Sequence, residues 1–325
     1  MPMLKSILAT IALALPLALL GCGDGGDAAQ TVTLYTSVDE PYAKPIIEAF
    51  EAKTGIQVNL VTDTEATKSV GLAERLRAES AKPRANVWWG NEPFYTVRLA
   101  EDGLLASYEA ESATEVPAMY RDPQDRWIGN GLRARGLVTK TDDNASSLDD
   151  FATRGGFVAR PTAGTTGGHV AALYAVLGQD EADAMFKRWH DAGVVLVGGN
   201  SQVVQEVSGS DAGIGLTDND DVSNAISRGM DVRFALINQD ALGTLTIPTT
   251  IALVAGSEAN DAAKQLVDYL ASAEVEEMMT ASGFVAYSVR DEETIKAMNV
   301  DYAEVAAAMP ESIRRATAIL EGREP

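Results

Sequence analysis

The sequence predicts an α/β protein of two units, each a mostly parallel sheet flanked by helices. Three observations predict it. Strand-like and helix-like segments alternate from Thr31 to Glu101, the signature of a parallel sheet covered on both faces. A second alternating unit begins at Phe157. The chain has 325 residues, about two domains' worth, and is 46% hydrophobic, enough for sizeable cores.

Thr31 to Tyr35 is β-branched and alternating, a first strand. The helix after it carries Ile46, Ile47 and Phe50 on one face, ends near Lys53 and is stopped by Gly55. Ile56 to Val61 is a second strand, and Val70, Leu72 and Leu76 mark a second helix that ends before Pro83. Ala85 to Trp89 is a third strand, followed by Gly90-Asn91-Glu92-Pro93 and a helix to Glu101. Leu132 to Thr139 reads as a crossing strand with Arg133 and Arg135 on one face. Phe157 to Ala159 is a strand, and Pro161 to Gly168 opens a helix to Leu177. Asp180 to Ala192 is a helix, Val194 to Val197 a strand, and Asn200-Ser201 caps a short helix. Val232 to Ile237 is a strand, and Thr244 to Ile247 and Ile251 to Val254 are strand pieces broken by Pro248. Asn260 to Ala271, Glu274 to Ala281 and Ser312 to Glu321 are helices.

Residues 1–21 read as a leader, with Lys5 as its positive end and Ile7 to Leu20 as an apolar run too short for a comfortable membrane span. Leu19-Leu20-Gly21-Cys22 resembles the lipobox of bacterial lipoproteins, in which the cysteine becomes a lipid-modified first residue. Cys22 is the only cysteine, so it has no internal disulfide partner. Acyl chains there would anchor the chain to a membrane face, with residues 22–30 as a flexible tether. The net charge of -21 argues against nucleic acid as a partner.

The apolar run Ala212 to Leu216 ends in three carboxylates within four residues, Asp218, Asp220 and Asp221, followed by a helix-like Val222 to Arg228. Ligands of open α/β sheets sit outside the carboxyl ends of strands, where such a loop would stand. Closely packed carboxylates repel unless water or a cation screens them. The plain alternative is an acidic surface loop in which Asp221 caps the next helix. Gly164-Thr165-Thr166-Gly167-Gly168 offers free N–H groups and two hydroxyls at a helix start, an arrangement suited to anions; the plain alternative is a tight turn that needs glycine. Arg133 and Arg135 either supply positive charge to a cleft or pair with acids on a strand face. Trp88, Trp89 and Tyr95 raise the prospect of an organic cation. Trp88 and Trp89 point to opposite faces of their strand, so at most one can line a cleft. His169 and His190 read as structural, with His169 the nearer to a cleft.

The mature chain resembles the periplasmic solute-binding proteins of ABC transporters, nearest to the ferric-iron-binding receptors. The resemblance rests on Leu34-Tyr35-Thr36-Ser37, Ile47-Glu48-Ala49-Phe50 and Thr54-Gly55-Ile56, and on Ala85 to Trp89. It also rests on Gly103-Leu104-Leu105-Ala106, Asp122-Pro123 with Trp127-Ile128-Gly129, Arg133-Ala134-Arg135 and Ile214-Gly215-Leu216. It implies a two-lobed type II binding-protein fold joined by two hinge strands. The implied lobes are 31–134 with about 252–300, and 135–251 with about 301–325. By spacing, the family's histidine ligand falls on Asp39, its glutamate on Glu92, or on Asn91 if the loop differs by one residue, and its adjacent tyrosines on Asp220 and Asp221. The phenolate ligands of the family are therefore replaced by carboxylates. The turn that holds a synergistic anion in those relatives matches Thr162, Thr165, Thr166, Asn200 and Ser201. For Asp39 and Glu92 the plain alternative is capping of helix ends.

The expected function is a lipid-anchored, monomeric receptor in the periplasm that captures a small solute between two lobes and presents it to an ABC permease and its ATPase. Carboxylates from separate loops suit a hard cation, with ferric iron as the first choice of cargo. A polyamine or a small oxyanion or phosphonate is the alternative. Leu132 to Val138 and Thr244 to Val254 are the expected hinges. No resident cofactor is expected. A periplasmic hydrolase is the distant alternative, because G-x-S-x-G, H-E-x-x-H, G-x-G-x-x-G and P-loop patterns are absent. As loop carboxylates, Asp220 and Asp221 are expected to be replaceable by alanine with loss of solute but not of fold.

Overall fold

The computed structural model describes residues 30–325 apart from 64–69, 163, 212, 240 and 292–293. The expected leader and the expected lipidation at Cys22 fall outside the described residues. Ten strands follow the order β2-β1-β3-β10-β5-β8-β6-β7, with β4 (Leu105–Ala106) against β10 and β9 (Arg233–Leu236) against β5. On one side, β1 (Thr31–Thr36) pairs in parallel with β2 (Gln57–Thr62) and β3 (Val87–Gly90). On the other, β6 (Phe157–Ala159) pairs in parallel with β7 (Val195–Val197) and β8 (Ile214–Asp218). Two antiparallel strands join these halves, β5 (Ile128–Thr139) and β10 (Thr246–Val254). β5 runs along β10 as far as Ala134 and then along β8 from Arg135, so one continuous strand belongs to both halves.

The expected break at Pro248 is not found. Thr246–Val254 is a single strand, and the proline is accommodated by a register shift between Pro248 and Thr249. Opposite that shift Gly131 takes a φ of 68°, and its freed N–H donates to the buried Glu276 carboxylate at 2.9 Å. A bulge lets each strand keep its ladder despite the missing proline N–H.

The final helix also differs from expectation. It is α11 (Tyr302–Leu320), ten residues longer at its start than Ser312, with Pro310 inside it. Proline removes one backbone donor but does not end a helix whose preceding turns are held by packing. Here Tyr302, Val305, Ala306 and Met309 are all buried. α11 packs on α3 (Pro93–Glu101) in the first half and on α5 (Gly164–Leu177) and α6 (Gln179–Asp191) in the second.

Gly167 and Gly168 are helical, so a turn does not account for them. Gly164, with φ of 64°, makes the turn. A Cβ on Gly168 would stand 1.9 Å from the Phe94 ring of α3, and one on Gly167 would stand 2.8 Å from Ile313. These two glycines let α5 approach α3 and α11 closely. Gly168→Ala is expected to destabilise the protein by about 1–3 kcal/mol through overpacking. A denaturant melt checks it, and a Phe94→Leu partner substitution should recover part of the loss.

Candidate functional site

A cavity of about 1090 Å³ lies where the carboxyl ends of β1, β3, β6, β7 and β8 meet. This is the ligand position of open α/β sheets. Among the described residues, Asp39, Glu92, Asp218, Asp220 and Asp221 all line it, as do Thr162, Thr165, Thr166, Asn200, Ser201 and Arg133. Arg135 does not. Residues from 39 to 221 are therefore brought to one cavity. Only part of the acidic set approaches ligand distance. Oxygens of Asp218, Asp220 and Asp221 come within 4.8 Å of one another, while Asp39 and Glu92 stand outside that group.

Asp218 is not in a loop. β8 continues through it, and α8 (Asn219–Ser227) starts at the next residue, with Asp220 and Asp221 in its first turn. The expected loop is missing because Asp218 pairs across the strands with Arg135, its register partner. Arg135 Nη1 donates to Asp218 Oδ1 at 2.8 Å. Thr165 Oγ1 donates to Asp218 Oδ2 at 2.6 Å, and Asn200 Nδ2 donates to the same oxygen at 3.0 Å. Burial alone would raise the Asp218 pKa, but the Arg135 and Arg133 charges and these donors hold it below the usual carboxylate range. Asp218 is thus committed to the protein and organises the site instead of offering itself to a solute.

Asp220 is 9% exposed, and its Oδ2 accepts from Arg133 Nη1 at 3.1 Å. Its replacement by alanine is therefore not neutral for the fold, as a loop residue's would be, because it leaves a buried guanidinium short of a partner. Asp221 Oδ1 accepts from Ser201 Oγ at 2.6 Å. Asp221 does not cap α8, whose N-cap position is Asp218. Asn200 and Ser201 are not caps either. α7 (Asn200–Gly209) begins at Asn200 behind Gly199, and the Asn200 side chain turns to Asp218, Thr166 and Arg135.

Glu92 caps α3, accepting from Phe94 N at 2.7 Å and Tyr95 N at 3.2 Å, and is 1% exposed. Burial pushes its pKa up to about 7, against the backbone donors and the Arg133 charge. Because the folded pKa lies above the unfolded one, the folded form binds the extra proton between about pH 4.5 and 7, and stability falls as pH rises through that window. Glu92→Gln is expected to flatten this slope, and thermal melts from pH 4.5 to 8 check it. Asp39 occupies the N-cap position of α1 (Glu40–Thr54) without a side-chain cap bond.

The aromatic reading is corrected. Trp88 and Trp89 are both 0% exposed, because β3 is covered on both faces, and Tyr95 does not line the cavity. His169 is also removed from the cleft. It is 1% exposed, and burial and then the Arg135 charge lower its pKa to about 3, so it is neutral. Tyr42 was not singled out from the sequence, yet it lines the cavity and stacks on Phe284 at 4.7 Å. Only its position in the first turn of α1 hinted at the cleft.

Residues 31–285 match the family described as bacterial extracellular solute-binding protein. Iron uptake protein A1 of Synechocystis sp. is 31% identical over 129 residues, 37% of this chain and 35% of that protein, so the match spans about a third of that relative's length. Iron-bound HitA from Pseudomonas aeruginosa aligns with a TM-score of 0.72 and 24% identity over 90% of this chain and 99% of its own. The periplasmic binding protein AfuA from Actinobacillus pleuropneumoniae, solved with fructose-6-phosphate bound, aligns with a TM-score of 0.75 and 16% identity over 90% and 99%. Identities this low establish a shared fold and leave the solute open. No helix among the described residues is long and apolar enough to cross a membrane. The family match covers most of the chain and agrees with strands that converge on one cavity; the chain belongs to the bacterial extracellular solute-binding proteins.

Proposed function

We propose that this protein is the receptor of an ABC importer, that it captures a hard cation in the interlobe cleft, and that ferric iron is its cargo. One observation carries the reading: Asp220 and Asp221 gather within 4.8 Å of each other and of the committed Asp218, in a cavity at the strand ends. Hard cations take several oxygen ligands and favour negative charge. The iron bound in HitA and the name of iron uptake protein A1 point the same way. Asp220 and Asp221 are the proposed donors from one wall, and Asp39 and Glu92 face them from the other. Thr162, Thr165, Thr166, Asn200 and Ser201 are the proposed seat of an accompanying anion at the start of α5.

The proposed lobes are 31–134 with about 252–300, and 135–251 with about 301–325, closing about β5 and β10. Closure would carry Asp39 and Glu92 toward Asp220. The receptor is proposed to act as a monomer without a resident cofactor or catalytic activity, passing its cargo to a permease and its ATPase. Lipid on Cys22 would hold it at a membrane on the periplasmic side.

A phosphorylated solute is the second reading, favoured by the threonine hydroxyls at the start of α5 and by the fold shared with AfuA. The buried tryptophans leave the polyamine reading with Tyr42 alone as an aromatic on the cavity among the described residues. Titration calorimetry of the mature protein with ferric citrate, calcium, spermidine and fructose-6-phosphate separates these readings. Ferric citrate is expected to bind and to raise the melting temperature by mass action. Binding of the sugar phosphate with no response to any metal would replace the cation reading by the second.

A further inference from the structure

The carboxylates offered to a cation already hold one of the protein's own. Arg133 lies in β5 with its side chain 4% exposed, yet it lines the cavity. Its Nη1 is 3.1 Å from Asp220 Oδ2 and 3.6 Å from Asp218 Oδ2. Its Nη2 donates to the Asn91 carbonyl at 2.5 Å, beside Glu92 on the other wall. The guanidinium sits over the Phe284 ring at 5.4 Å, and Nε reaches no acceptor among the described residues.

Arg135 differs. It does not line the cavity, and it bonds Asp218 and the Leu216 carbonyl from behind. Three carboxylates therefore face these two guanidinium groups, and of the two only Arg133 lines the cavity. A metal ion on Asp220 and the Arg133 guanidinium are like charges seeking the same carboxylate, and they oppose each other strongly at low dielectric.

We propose that Arg133 is a resident competitor for the cargo. It occupies Asp220 in the solute-free cleft, yields it when a hard cation enters, and so sets how tightly a cation is held. Asn91 and Phe284 keep the displaced guanidinium on the opposite wall. This rests on the cation reading of the cleft. It has an unusual sign: removing a residue from the binding cavity strengthens binding, whereas removing a residue that grips the solute weakens it.

The test titrates calcium chloride and terbium(III) chloride into the mature protein and its Arg133→Gln and Arg133→Lys variants, in a buffer that does not chelate metals. Arg133→Gln is expected to bind at least tenfold more tightly than the parent. Arg133→Lys keeps the charge and is expected to stay within about threefold of the parent, since a lysine is still a cation on the same stem. Equal or weaker binding by Arg133→Gln overturns the proposal while leaving the cation reading intact, as does a lysine variant that gains as much as the glutamine. Failure of the parent and of Arg133→Gln to bind either metal overturns both. Should Arg133→Gln fail to fold, the Arg133 Nε–H resonance of the parent, assigned by its loss in Arg133→Lys, decides. Here diamagnetic lanthanum(III) chloride replaces terbium, so that only a change of surroundings moves the resonance: a shift that saturates with lanthanum supports displacement, and a resonance unmoved at saturation overturns it.

Discussion

Asp218→Ala is expected to destabilise the protein by roughly 3–5 kcal/mol, the cost of leaving a buried ion pair half-made. The carboxylate joins Arg135 on β5, Thr165 on α5 and Asn200 on α7, with Arg133 at 3.6 Å. Its loss strands a fully buried guanidinium and two side chains that currently share its Oδ2. The pH dependence has a definite sign. The folded Asp218 pKa lies below its ordinary value, so its contribution is present above the unfolded pKa and is lost as pH falls through the folded one. Asp218→Asn should therefore weaken the protein at neutral pH and flatten the acid limb of its stability curve. Denaturant melts at pH 7 and at pH 3 check both parts. A neutral-pH midpoint unchanged from the parent would show that Asp218 does not hold this side of the cleft together.

Asp220→Asn combined with Asp221→Asn is expected to weaken cation binding at least a hundredfold. Both residues stand in the first turn of α8, within 4.8 Å of Asp218, and Asp218 is committed to Arg135. Asp220, paired with Arg133, and Asp221, bonded to Ser201, thus carry the charge that this wall offers, and a hard cation gains little from neutral amides in their place. The asparagines keep the side-chain size, so the stability loss should be smaller than for alanines, and Asp221 contributes little of it. Calorimetry with ferric citrate reads the affinity, and a denaturant melt of the same sample reads the fold. Affinity within threefold of the parent in a folded variant would move the cargo site elsewhere in the cleft.

Much of the architecture is legible in the chain because it is set by local pattern. Hydrophobic periodicity and helix stops such as Gly55 marked β1, α1, β2, β3 and α3 to within one or two residues. The misreadings share one cause. Pro248 and Pro310 look like breaks locally, but a bulge opposite Gly131 and a buried face on α11 carry the backbone through them. Asp218 looks like a loop residue because a charge at a strand end normally faces water, and only its register with Arg135 explains its burial.

By itself the sequence determined that the chain is an acidic α/β protein of two sheet-and-helix units with a carboxylate-rich β8–α8 junction, since composition and periodicity act over a few residues. It also named many of the residues around one cavity, because strand ends and helix starts are written locally, but it included Arg135, which stands behind the cavity, and missed Tyr42. Tertiary structure alone decided which carboxylates are spent on the fold and which are open to a solute. Asp218 and Asp220 differ by two positions, yet one is enclosed by Arg135, Thr165 and Asn200 and the other shares Arg133 with the cavity. The charge available to a ligand depends on partners 18 to 87 residues away, and such pairings follow from the meeting of strand ends and helix starts across the fold and not from any stretch of neighbouring residues.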